Sequence, residues 1–176
     1  MKRLMAIMLC CMAFTGCGNK PSIEITQFHN ELNAFCDNIQ KIDSAINEIS
    51  NITADEEGLE VATTELMIQL DSLEDEFIKF ANMDFPAEYD YLENMADESG
   101  SYMTEAVKAY RKAYEEKYSV GMEDYAQQNY SRAYKRVQFI IDVVNGKDPN
   151  ACNFSDYIWR CSICGAEPDF TTNREE

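Results

Sequence analysis

Histidine is nearly missing from this chain: His29 is the only one in 176 residues. One histidine cannot supply the paired Glu-x-x-His motifs of di-iron bundles or a His-Glu-x-x-His zinc helix. A Gly-x-Ser-x-Gly turn and a Gly-rich phosphate loop are also absent, which removes the familiar hydrolase and nucleotide-binding arrangements. Proline and glycine are scarce, at four and seven residues. So little punctuation favours long helices over many short strands. Basic residues are few: 15 Lys and Arg stand against 32 Asp and Glu, a formal charge of −17. Phosphate backbones are held by Lys and Arg, so nucleic acid is not expected as a partner. Apolar residues still make up 45% of the chain, enough for a core and too much for wholesale disorder.

The one uninterrupted apolar run lies at the amino terminus. Lys2 and Arg3 precede Leu4 to Phe14, and small residues follow. A charged start, a short apolar core and a small-residue exit describe an export signal. The run is too short for a permanent membrane span, which needs about 20 residues. Its end, Phe14-Thr15-Gly16-Cys17, resembles the lipobox of bacterial lipoproteins, with Phe14 where the family usually has Leu. Cys10 and Cys11 lack small residues just before them. The resemblance implies removal of residues 1–16, lipidation of Cys17 and an extracytoplasmic chain anchored to the cell membrane. Diacylglyceryl and palmitate chains contribute about 0.8 kcal/mol per buried CH₂, so two or more anchor stably. Residues 17–21 would be the lipidated Cys and a short tether. About 160 residues would remain, which suits one domain, with a charge of about −19 once Lys2 and Arg3 are gone.

Residues 22–148 read as four amphipathic helices. Ser22 is a helix cap. Ile25, Phe28, Leu32, Phe35, Ile39, Ile42, Ile46 and Ile49 recur in steps of three and four, an a/d seam of the coiled-coil kind. Thr53 and Glu56 form a capping box ahead of Leu66, Leu70, Leu73, Phe77 and Phe80. A third helix is expected from Pro86 to Tyr118, with a seam of smaller residues: Leu92, Ala96, Ser99, Met103, Ala106, Tyr110 and Ala113. Proline suits a first helical turn, and small seam residues let a neighbour approach. Gly100 interrupts this helix at a cost of about 1 kcal/mol relative to Ala. Ser119 to Gly121 permits a reversal. Ala126, Tyr130, Ala133, Val137, Ile140 and Val144 form the fourth seam, ended by Asn145-Gly146 with Pro149 beyond. The expected fold is an all-α, antiparallel up-down-up-down four-helix bundle. Residues 149–176 have no helical period and form an irregular, Cys-containing appendage that carries the only Trp, Trp159.

Three places could carry chemistry. Cys161-Ser162-Ile163-Cys164-Gly165 resembles half a zinc-ribbon knuckle. Structural zinc needs four ligands; Cys152 is a third candidate, and Cys36, His29 or Asp156 a fourth. Zinc is the only cofactor in view. The same four cysteines, Cys36, Cys152, Cys161 and Cys164, could instead form disulfides suited to an exported protein, or a thiol-redox pair. The second place is the hairpin of the third and fourth helices. Tyr110, Tyr114 and Tyr118 share a face, with Arg111, Arg132 and Arg136 nearby. Such residues suit a binding surface, whereas aromatic stripes at helical spacing more often fill a core. Lys112, Lys117 and Lys135 belong to the same hairpin, and its basic groups could pair with the acidic second helix. The third is the cluster Asp71, Glu74, Asp75 and Glu76. Consecutive acids diverge around a helix, so a solvated face is expected in place of a calcium loop.

The sequence therefore leads to two expectations. One is a non-catalytic interaction module of the bacterial cell envelope, held to the membrane by lipid, whose partner is an envelope protein or a cell-wall polymer. The other is a zinc-binding or thiol-redox protein working through the carboxyl-terminal cysteines.

Overall fold

A computed structural model describes residues 22–49, 56–115 and 118–148. They form α1 (Ile23–Ile49), α2 (Glu56–Ala81), a short 3₁₀ turn (Asp90–Leu92), α3 (Glu93–Tyr114) and α4 (Val120–Val144). No strand occurs among the described residues.

Consecutive helices pack against one another and run antiparallel. Phe35 on α1 stacks on Phe80 of α2 with ring centres 4.4 Å apart, while Asn38, one turn later, donates to Glu76, one turn earlier. Gly100 of α3 lies against Phe77 and Ala81 of α2, and Arg111 pairs with Asp71. Tyr114 meets Glu123 at 2.8 Å, and Glu98 meets Arg136 at 2.7 Å, joining α3 to α4. The fold is an all-α bundle.

Local chemistry sets the helix ends. Ser22 Oγ accepts the Ile25 amide at 3.2 Å and so caps α1. Ser119 does the same for α4 through Met122 N–H. At the end of α4, the Gly146 and Lys147 amides return to the carbonyls of Val143 and Asp142, with Gly146 at φ +88°. That left-handed conformation suits glycine, which has no Cβ to clash. The third helix departs from expectation. Pro86 begins a turn, not a helix: the Tyr89 amide bonds to Pro86 O at 2.7 Å and the Leu92 amide to Tyr89 O at 2.9 Å. These i→i+3 bonds delay the α-helix to Glu93. It ends at Tyr114, so Tyr118 lies beyond it, ahead of the α4 cap.

The core changes character along the helices. Phe28, Phe35, Phe77, Phe80 and Phe85 are buried together, each worth about 1.5–3 kcal/mol relative to exposure. The buried residues of α3 and α4 include several small ones: Ala106, Ala109 and Ala113 on α3, Ala126 and Ala133 on α4. Gly100 serves a close approach, because a Cβ there would lie 3.0 Å from Ala81 Cβ and 3.4 Å from the Phe77 carbonyl oxygen. The helix α1 is not a close backbone neighbour of α4. That side of the bundle is filled by long side chains, notably Tyr130 and Tyr134.

The topology gives the bundle two distinct ends, about 40 Å apart at 1.5 Å per residue. The near end holds the start of α1 and the end of α4, where residues 1–21 and 149–176 join. The far end holds the start of α2, the end of α3 and the start of α4.

Candidate functional site

Cys36 belongs to the hydrophobic core, with 2% of its surface exposed. Four residues after Leu32 and three before Ile39, it faces inward. His29 is half-buried beside the rings of Phe28 and Tyr89, and burial pulls its imidazole below the ordinary value against the opposing Glu88 charge. Seven helical positions put Cys36 and His29 about 10 Å apart along α1, too far to share an ion held by bonds of about 2 Å. Among the described residues no group of three His, Cys, Asp or Glu is arranged to hold a metal. Cys17, Cys152, Asp156, Cys161 and Cys164 lie outside the described residues.

Tyr110 and Tyr114 of α3 and Tyr118 beyond its end form a ladder leading outward. Tyr110 and Tyr114 stack with centres 6.4 Å apart, and Tyr114 and Tyr118 lie 5.8 Å apart. Tyr110 is buried and its hydroxyl has no hydrogen-bond partner among the described residues. Tyr114 is half-buried and donates to Glu123 Oε1 at 2.8 Å. Tyr118 is exposed and donates to Glu123 Oε2 at 2.6 Å. One carboxylate thus gathers two rungs. Burial first, and the Glu123 charge second, hold the Tyr110 phenol well above its ordinary value. Burial, then the bond to Glu123, does the same to Tyr114. Both stay protonated at neutral pH, and Tyr114 acts as a donor.

A second tyrosine pair was not evident as a site in the sequence. Tyr130 and Tyr134 stack at 4.6 Å and both donate to Asp43 Oδ1 of α1, at 3.0 and 2.9 Å. Burial raises the Asp43 carboxyl above the usual carboxylate value, opposed by these two bonds. The signal that could have revealed the cluster was an acid placed between Ile42 and Ile46 of an apolar seam, with two tyrosines four apart on a facing helix.

The arginines are committed within the bundle. Arg111 binds Asp71 of α2 and Glu115 of its own chain segment. Arg136 is buried, donates to Glu98 at 2.7 Å and lies 4.4 Å above the Tyr102 ring. Arg132 reaches the same ring at 5.4 Å and donates to Asn129. Tyr110 and Arg136 are therefore inside the fold, and Tyr118 is the member of the expected surface that faces solvent. The acids of α2 diverge: Asp71 turns to α3, while Glu76 accepts from Lys79 at 2.6 Å and from Asn38 of α1 at 3.0 Å.

Exposed apolar residues occur at both ends of the bundle, among them Ile23 and Tyr91 at the near end. Tyr118, Val120, Met122 and Tyr125 surround the start of α4, and Leu59 and Val61 occupy the start of α2. No helix among the described residues is long and apolar enough to cross a membrane. Taken together, fold and site define a four-helix bundle with a tyrosine-braced interior and an aromatic far end. Comparison with protein-family models, curated proteins and solved structures returned no match.

Proposed function

We propose that this chain is a lipid-anchored, non-catalytic binding module of the bacterial cell envelope, tied to the membrane through Cys17 and engaging a partner at its far end. The observation that carries the binding reading is the exposed cluster Tyr118, Val120, Met122 and Tyr125. Aromatic side chains offer large contact area at low entropic cost and are favoured where proteins bind. The cluster stands opposite the end at which residues 1–21 join α1. An anchor there would leave it facing away from the lipid, and the anionic surface would keep the bundle from lying on anionic headgroups. The interior phenols of Tyr130 and Tyr134 are spent on Asp43, which supports a scaffold role for the bundle.

The test has two arms in the native host. Palmitate should label the wild-type chain and not Cys17→Ala; equal labelling would remove the anchor. A photo-crosslinking residue at Tyr118 or Tyr125 should capture an envelope component that one at Tyr91, on the near end, does not. Identical adducts from both ends, or none from either, would count against a binding module working through the far end.

A further inference from the structure

We infer that the far end docks a basic segment of a partner protein whose cationic residues are interleaved with apolar ones. This deepens the binding-module reading and rests on it.

The surface is open and held in place. Tyr118, Val120, Met122 and Tyr125 expose 58, 57, 39 and 44% of their area. Met122 and Tyr125 are three apart on α4 and share a face. Between them and Tyr118 lies Gly121, where a Cβ would meet nothing within 4 Å. Yet the turn is braced. Ser119 caps α4 by accepting from Met122 N–H, and Glu123 fixes both Tyr118 and Tyr114 through their hydroxyls. A surface ordered before binding loses little entropy on association.

Charge selects the occupant. Glu115, Glu123 and Asp124 flank the cluster along the chain, and Glu60 and Glu65 are exposed on α2 at the same end of the bundle. Of the nearby described bases, Arg111 is already held by Asp71 and Glu115, which leaves exposed Lys112 against this group of acids. The whole chain carries −17. A second copy would bring the same acids to the same place and be repelled. Anionic lipid is opposed for the same reason. A cationic segment is attracted over a distance of about a Debye length, and its Arg or Lys can stack on the exposed Tyr rings. The apolar residues then require more than charge: a purely polar basic chain leaves Val120 and Met122 uncovered.

The experiment uses the mature chain with Cys17→Ser and three fluorescent peptides: alternating Arg and Leu, alternating Arg and Ser, and alternating Glu and Leu. Binding is read by anisotropy at physiological salt. The Arg–Leu peptide should bind, the Glu–Leu peptide should not, and the Arg–Ser peptide should be weaker. Combining Tyr118→Ser, Met122→Ser and Tyr125→Ser should weaken Arg–Leu binding about tenfold or more, with helicity by circular dichroism unchanged because these side chains are exposed. Ile23→Ser with Tyr91→Ser, at the near end, should change nothing. Equal binding of the Arg–Leu and Arg–Ser peptides, undiminished in the triple variant, would reduce the effect to diffuse electrostatics and overturn the proposal. Binding of soluble cell-wall glycan fragments in place of the peptides, lost in the triple variant, would also overturn it while leaving the binding-module reading standing.

Discussion

Tyr134 of α4 donates its hydroxyl to Asp43 of α1 at 2.9 Å, across a helix pair with little close backbone contact. Tyr130 adds a second donor to the same oxygen at 3.0 Å. The bundle is closed on this side by side chains, so the pair links sequence positions far apart to the integrity of the fold.

Replacing Asp43 tests the link. Asp43→Ala strands two phenol hydroxyls and should cost about 2–3 kcal/mol in chemical denaturation. Asp43→Asn keeps an accepting oxygen and should cost less. Both variants should also differ from wild type in pH dependence. Burial raises the Asp43 carboxyl in the folded chain, so the folded state holds this proton to higher pH than the unfolded state. The contribution is complete below the unfolded value of about 4 and is lost as pH rises through the folded value. Stability of Asp43→Asn relative to wild type should therefore increase from acid toward neutral pH. A difference independent of pH would contradict the assignment.

The two tyrosine groups should respond oppositely to loss of a hydroxyl. The Tyr110 hydroxyl is buried with no partner among the described residues, so Tyr110→Phe should be neutral or stabilise by up to about 1 kcal/mol. Tyr134→Phe removes a donor from Asp43 and should cost about 1–2 kcal/mol. Thermal unfolding of the two variants side by side decides this, and equal losses would show that Tyr110 is bonded.

Glycine positions offer a contrast in packing. Gly100→Val forces a branched side chain against Ala81 and the Phe77 carbonyl, and should destabilise by about 2 kcal/mol despite better helix propensity. Gly121→Ala meets open space and should stabilise by about 0.5–1 kcal/mol. Urea midpoints measure both; a stabilising Gly100→Val would show that α2 and α3 are not in close approach.

Arg136 is a buried cation with three kinds of partner: the Glu98 carboxylate, the Arg132 carbonyl and the Tyr102 ring. Arg136→Ala should cost about 3 kcal/mol, because Glu98 and the ring lose their shared partner and a void opens. Arg136→Lys should recover less than half, since a point charge cannot both stack and bond edge-on. If lysine restores wild-type stability, the planar geometry is unimportant.

Much of this architecture is readable in the amino-acid order. The three-and-four spacing from Phe28 to Ile46 marks the buried face of α1, and Cys36 follows the same period into the core. Small residues from Ala96 to Ala113 announce the close packing of α3. Ser22 and Gly146 mark the start of α1 and the stop after α4. Less is readable at the site. Tyr110, Tyr114 and Tyr118 have equal spacing, yet one is buried, one half-buried and one exposed. Spacing reports which residues share a face, but not where that face runs past the end of its neighbours. Pro86 likewise fits a helix start or a turn equally well, and only the following i→i+3 bonds separate them.

The amino-acid order determined the helices and their apolar faces, because each rests on contacts within a few turns of one chain segment. It also determined the strong negative charge. The tertiary structure alone decided that Asp43 would meet Tyr130 and Tyr134, that Arg136 would be enclosed with Glu98 and Tyr102, and that Tyr118 would be left in solvent. Those relationships depend on the relative height and rotation of packed helices. Such offsets are set by side-chain interlocking over the whole bundle, which no local period encodes.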